Sequence, residues 1–90
     1  MKVFLNLLGA EIRVKQEVSF EAGSCALPDV LRALKDQHGG ALRRFLKEDL
    51  SPADGSAILV NGRNIRSLDP LKTKIQDGDE LTFTVLVAGG

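Results

Sequence analysis

Few groups in this 90-residue sequence have the type and spacing that chemistry needs. Cys25 is the only cysteine and His38 the only histidine, so neither an internal disulfide nor a Cys/His metal cluster can form. His38 stands before Gly39-Gly40, where the three residues read as a helix stop with His38 at the partly negative end. Asp77, Asp79 and Glu80 cluster, but Asp-Gly-Asp ahead of an apolar alternation is turn chemistry; these carboxylates are expected to set and solvate a turn, not to hold a metal or move a proton. What remains is the end of the sequence, where Leu81 to Val87 alternates as a strand and then gives way to Ala88-Gly89-Gly90. The free carboxylate of Gly90 would sit at the tip of an extended arm and is the candidate reactive group. Glycine has no Cβ to crowd its carbonyl carbon and accepts nearly any φ, so two in succession can thread a cleft that larger residues would block. From Val87 to Gly90 the arm reaches roughly 13 Å at ~3.3 Å per extended residue. Val87, Ala88 and Gly89 are therefore the residues expected to carry Gly90 into another protein's active site.

The rest of the chain must position that arm. Ninety residues suffice for one domain, 1–90, with 87–90 as a flexible tail. A chain of this size buries only roughly 60 to 65% of its unfolded surface, enough for a modest core. Lys plus Arg and Asp plus Glu number 12 each, so there is no bulk basic field to attract nucleic acid. With no Trp, no Tyr and four Phe, stacking platforms for single strands are also poorly supplied. The apolar start, Val3 to Leu8, is interrupted by Asn6 and followed by Glu11 and Arg13, far short of a membrane span or a signal h-region. A reducing, cytoplasmic setting is the expectation.

In order, Lys2 to Leu8 reads as a strand with Val3, Leu5 and Leu7 on a dry face and Phe4, Asn6 and Leu8 on a mixed one. Gly9-Ala10-Glu11 reverses the chain into a second strand, with Ile12, Val14, Val18 and Phe20 inward and Arg13, Lys15, Glu17 and Ser19 outward. Glu21 to Ala26 reads as a loop. Leu27, Val30, Leu31 and Leu34 then follow helical spacing, with Pro28 in the first turn, and the helix is expected to stop at His38-Gly39-Gly40 through a left-handed cap. Ala41, Leu42, Phe45 and Leu46 suggest a second, short helical insert, and Lys47 to Ser56 a mobile loop. Ala57 to Val60 is a strand, Asn61-Gly62 a tight hairpin turn and Arg63 to Ile65 a short paired strand. Leu71 and Ile75 are expected to plug the core from an irregular connection, before Asp77-Gly78-Asp79 turns into the last strand. The sum is an α+β domain: a mixed sheet of about five strands packed on one main helix plus the short insert, with a connection long enough for the last strand to pair with the first in parallel.

The run Ile58-Leu59-Val60-Asn61-Gly62-Arg63, then Leu71, then Asp77-Gly78-Asp79-Glu80-Leu81, then Val87-Ala88-Gly89-Gly90, resembles the β-grasp, ubiquitin-like sulfur carriers that include MoaD, ThiS and CysO, and closest among them the MoaD type. The resemblance spans essentially the whole chain. It implies a carrier whose Gly90 carboxylate is adenylated by a ubiquitin-activating-type enzyme of the MoeB or ThiF kind and then converted to a thiocarboxylate. It also implies a sulfur-accepting enzyme, such as the large subunit of molybdopterin synthase, that receives the tail. The residues are compatible with that chemistry on their own terms: a carboxylate is a poor electrophile until it carries a leaving group, and this chain has no G-x-x-x-x-G-K-[ST] phosphate loop. ATP and magnesium would thus belong to the activating partner, with no cofactor bound by this chain. In the family the outer sheet face docks partners; here that face would carry Phe4, Asn6, Leu8, Leu59, Thr82, Thr84 and Leu86, with Phe4, Leu59 and Leu86 as its apolar contacts unless the 41–56 segment covers them. Arg63 and Arg66 are candidate contacts to the activating enzyme. Where many MoaD-like tails carry a Pro-Pro step, this chain has Val85-Leu86. Other readings stay open: carriers serving cysteine, thiazole or tRNA thiolation use the same handle, a ubiquitin-like modifier would join Gly90 to a lysine, and a noncovalent β-grasp module would need no terminal glycines. Catalysis by the chain itself ranks last.

Overall fold

The computed structural model describes residues 1–9, 13–69 and 72–85. Strands β1 (Lys2–Leu8) and β2 (Arg13–Ser19) pair antiparallel, with Val3, Leu5 and Leu7 buried on one face as their alternation requires. A short β3 (Ser24–Ala26) leads into α1 (Leu27–Leu42), β4 (Ser56–Val60) and β5 (Arg63–Asn64). A 3-10 turn at Ile65–Ser67, β6 (Lys74–Gln76) and β7 (Glu80–Val85) complete the chain. The main sheet has five strands in the order β2-β1-β7-β4-β5, and β3 pairs with β6 in a separate two-stranded sheet. β7 runs parallel to β1 and antiparallel to β4.

One face of the sheet packs on α1, whose Leu27, Val30, Leu31 and Leu34 are buried. Pro28 occupies the first turn and Asp29 sits where the helix end is partly positive. The helix breaks at the expected stop: His38 leaves helical geometry at φ −127° and ψ 29°, and a second, short helical stretch then runs on to Leu42 within α1. The glycines with positive φ among the described residues are Gly55, Gly62 and Gly78, so Gly39 and Gly40 supply no left-handed cap. Continuing the helix buries Leu42 and aims the chain so that Phe45 and Leu46 follow it into the core. The amides of Phe45 and Leu46 both donate to the Leu42 carbonyl at 2.9 Å, which extends the expected short insert beyond the break by one further turn.

Two more departures share a cause, the brevity of the pieces involved. Ser24–Ala26 lies in the expected loop yet pairs residue for residue with Gln76, Ile75 and Lys74, a three-residue ladder too short to show a period. Arg63–Asn64 ends in the 3-10 turn because the Asn64 side chain accepts the Arg66 amide at 2.9 Å. The expected reversal at Ala10-Glu11, the inward Ile12 and the Leu71 plug lie outside the described residues, whereas Ile75 is fully buried.

The segment after α1 packs on the helix side of the sheet. Phe45 meets Phe83 of β7 edge to face, with ring centroids 6.3 Å apart, and the Ser56 hydroxyl donates to the Arg44 carbonyl at 3.1 Å. Phe45→Ala should therefore lower unfolding free energy by about 3–5 kcal/mol in urea denaturation. Phe4→Ala, on the opposite face, should stay within about 1 kcal/mol of the parent. Similar losses for both would place the segment on the wrong side of the sheet.

Candidate functional site

The site is built around where β7 begins and where it points. β7 lies at the centre of the sheet, held by β1 on one side and β4 on the other, with Leu81 and Phe83 fully buried. Its start is fixed by a knot of hydrogen bonds between two turns and the first strand. Gly78 takes φ 87°, which turns the chain sharply between the two aspartates. The Lys2 amide donates to Asp77 Oδ1 at 2.6 Å, the Gly78 amide to the Lys2 carbonyl at 2.8 Å, and the Phe4 amide to the Asp79 carbonyl at 2.9 Å. Asp79 Oδ2 accepts the Gln76 amide at 2.8 Å, while its Oδ1 accepts Asn61 Nδ2 at 3.1 Å. Asn61, at φ 50°, completes the exchange: its Oδ1 accepts the Glu80 amide at 2.9 Å and its own amide donates to the Glu80 carbonyl at 2.8 Å.

Asn61 and the Asp77-Gly78-Asp79 turn are thus one latch, although 18 residues separate Asn61 from Asp79. Sequence reasoning identified each as a turn and missed their union. The only available signal was that an Asn-Gly turn follows β4 and an Asp-Gly-Asp turn precedes β7, which antiparallel pairing brings to the same end of the pair. The latch sets the register of β7, and with it the direction in which the chain leaves Val85.

The outer face of the sheet gathers some of the expected contact residues. Phe4 and Leu8 are each 39% exposed, high for large apolar side chains. Leu59 is half-buried on the same face, reached along the row Asn6–Thr82–Leu59, and Asn6 Nδ2 donates to Thr82 Oγ1 at 3.2 Å to satisfy the polar break in that row. Because the 41–56 segment packs through Phe45 on the helix side, it does not cover Phe4 or Leu8. Arg63 falls elsewhere: it pairs with the buried Val60, so the register sets it on the helix side of the sheet, apart from Phe4 and Leu59. Arg66 lines a different concavity, a groove of about 480 Å³ with Leu27, Leu31, Arg32, Leu50 and Ile65 among its walls and no residue of β7. Asp49 stands at that groove's rim, and the Ser51 hydroxyl and amide, donating to its carboxylate, hold it below the usual carboxylate range. Leu86, Val87, Ala88, Gly89 and Gly90, the expected threading and reacting residues, lie outside the described residues. No helix among the described residues is long and apolar enough to cross a membrane.

A mixed five-stranded sheet on one helix, with its last strand central and parallel to its first, is the β-grasp, ubiquitin-like arrangement. The ThiS family model matches residues 6–90, and the chain belongs to that family. A candidate sulfur carrier protein of Archaeoglobus fulgidus is 31% identical over 74 residues, 82% of this chain and 84% of the relative. Small archaeal modifier protein 3 of Haloferax volcanii is 37% identical over 62 residues, 69% of this chain and 66% of the relative. Among solved structures, SAMP1 from Haloferax volcanii superposes with a TM-score of 0.68 at 27% identity and covers all of both chains. A chain of the BexX/CysO complex of Amycolatopsis orientalis superposes with a TM-score of 0.58 at 26% identity, covering 82% of this chain and 80% of that one.

The latch generates a direct test. Asn61→Ala removes both side-chain bonds and puts a Cβ-bearing residue without local hydrogen bonding at positive φ, so it should cost about 1–3 kcal/mol of stability. Amide exchange at Glu80 should accelerate well beyond that global loss, and exchange at Leu34 should not. Uniform acceleration would mean that the latch is no local organiser of β7.

Proposed function

We propose that this chain is a sulfur carrier whose Gly90 carboxylate is charged by a partner enzyme and delivered into a second one. The observation that carries the reading is the ThiS family match, which runs through the closing Ala88-Gly89-Gly90, on a domain whose last described strand is locked at the centre of the sheet. Adenylation attaches AMP to the Gly90 carboxylate with loss of pyrophosphate from ATP. A sulfur nucleophile then takes the place of AMP at the carbonyl carbon, leaving a thiocarboxylate. Nothing in that sequence needs a nucleotide or magnesium site on this chain, and both belong to the activating partner, of the MoeB or ThiF kind. The protein is a co-substrate, and its contribution is presentation: a slim acid on an arm long enough to reach a recessed site.

In this reading Val87, Ala88 and Gly89 thread the partner's cleft, and the exposed Phe4 and the half-buried Leu59 of the same face, with Leu86, supply the docking contacts. Arg63, set on the other side of the sheet, makes a separate contact if it meets the same partner. A protein partner is in keeping with the structural likeness to a chain of the BexX/CysO complex. Within the sulfur-carrier branch the chain's length and the segment after α1 look more like the MoaD or CysO type than the shorter ThiS. Of these we favour the MoaD-type role, a small subunit of molybdopterin synthase that hands sulfur to its large subunit, with carriers for cysteine, thiazole or tRNA thiolation as alternatives using the same handle. A second reading is a protein modifier joined through Gly90 to a lysine, and the 37% identity to small archaeal modifier protein 3 favours it specifically. The two share activation and differ in the nucleophile that ends it.

Incubation with an activating enzyme, ATP, magnesium and a sulfur source should shift the intact mass by one oxygen-to-sulfur exchange, and a chain lacking Gly90 should show no shift. Gly90→Ala should slow activation by about tenfold or more through crowding at the reacting carbon. Equal rates for the two proteins would remove the steric argument. In cells, a ladder that survives denaturant and reductant would select the modifier reading, whereas free protein alone would select the carrier.

A further inference from the structure

The outermost strand of the sheet, β2, has one edge paired to β1 and one edge open. Hydrogen bonding at its end determines which backbone groups face outward. The Phe20 amide donates to the Met1 carbonyl at 2.8 Å and the Met1 ammonium donates to the Phe20 carbonyl at 2.6 Å, so Met1 and Phe20 are a hydrogen-bonded pair. Antiparallel ladders alternate bonded and non-bonded pairs, which makes Val3–Val18, Leu5–Gln16 and Leu7–Val14 the bonded ones. Arg13, Lys15, Glu17 and Ser19 therefore aim their N–H and C=O groups away from β1. None of those groups has a hydrogen-bond partner among the described residues, and all four residues are exposed.

We propose that this edge pairs with the same edge of a second copy of the chain, antiparallel about a two-fold axis at Gln16, joining two five-stranded sheets into one. The charges select that occupant. In this register Lys15 of each copy faces Glu17 of the other, twice, and Arg13 faces Ser19. All of these are outward-aimed residues, so every facing pair can exchange two backbone hydrogen bonds. On the opposite face Val14 meets Val18. A slip by one residue sets outward-aimed groups against inward-aimed ones and leaves no ladder. A slip by two brings Lys15 onto Lys15, or Glu17 onto Glu17, at the axis. Charged edge residues ordinarily repel foreign strands. Here their order, basic then acidic about a central neutral residue, excludes a strand of mismatched charge and admits a copy of itself.

Glu17 also lies 3.7 Å from Lys2 of its own chain, so its carboxylate would be shared between two ammonium groups. β1 separates this edge from β7, so pairing leaves the central strand and the candidate docking face unobstructed. The proposal holds whether or not the carrier reading does.

Sedimentation velocity of the full chain from micromolar to millimolar concentration should show a concentration-dependent dimer. Lys15→Glu and Glu17→Lys should each weaken it by roughly tenfold or more, since each converts two attractive facing pairs into two repulsive ones. The double variant K15E/E17K should recover the dimer. An equimolar mixture of the two single variants should form a heterodimer, because K15E then presents two carboxylates across the axis from the two ammonium groups that E17K presents. Monomer throughout for the parent chain overturns the proposal, as does a dimer indifferent to the single reversals. A monomeric mixture of folded single variants, judged by circular dichroism, overturns it too. Should the double variant fail to fold, the mixture decides alone.

Discussion

The fold depends on the seating of β7 between β1 and β4. β1 and β4 pair with that strand, Phe45 of the segment after α1 packs on its buried Phe83, and the turns at Asn61 and at Asp77–Asp79 fix where it starts. Parallel pairing with β1 demands a long return connection, and α1 together with the segment after it supplies one that doubles as the cover of the sheet's inner face. A parallel pair has no tight hairpin to set its register. That task falls to the latch, in which Asn61 and Asp79 bind each other, Asn61 binds Glu80, and the neighbouring Asp77 and Gly78 bind Lys2. Polar residues at surface turns thus determine how a buried strand is aligned, and small changes there would propagate along β7.

The elements that repeat a period were legible in the sequence. β1 shows its buried Val3, Leu5 and Leu7 in strict alternation, α1 shows Leu27, Val30, Leu31 and Leu34 at helical spacing, and Asn61-Gly62 announces its turn through two residues that accept positive φ, at 50° and 85°. The elements that were not legible depend on partners distant in the chain. Gly39-Gly40 carries a local stop signal and the helix does break at the neighbouring His38, but without a left-handed glycine cap, and the burial of Leu42, Phe45 and Leu46 carries the chain onward into the core. Ser24–Ala26 becomes a strand only because Lys74–Gln76 lies beside it. For the site, alternation correctly grouped Phe4 with Leu59, but Arg63 follows a hairpin turn and shares the face of Val60, which a contact surface assembled from the sequence alone did not distinguish.

These features suit a protein that acts by presenting its end to others. Its described side chains are spent on holding a strand in place. A buried hydroxyl, that of Ser56, bonds to a backbone carbonyl, and no buried side-chain nitrogen or oxygen among the described residues lacks a partner. The exposed Phe4 and Leu8 lie on the outer face, and the alternating charges collect on the β2 edge, so two kinds of contact can be made at different places on one small sheet. The ThiS match, over residues 6–90, spans Asn61, the Asp77-Gly78-Asp79 turn and the closing Gly89-Gly90.

The central claim is that sulfur is carried on the carbonyl carbon of Gly90. Fragmentation mass spectrometry of the intact chain, isolated from cells that contain its own activating enzyme, addresses this most directly. The account predicts a population in which one oxygen is replaced by sulfur and in which that exchange maps to the terminal fragment holding Gly90. Sulfur found instead as a persulfide on Cys25, with the terminal fragment unchanged, would contradict it.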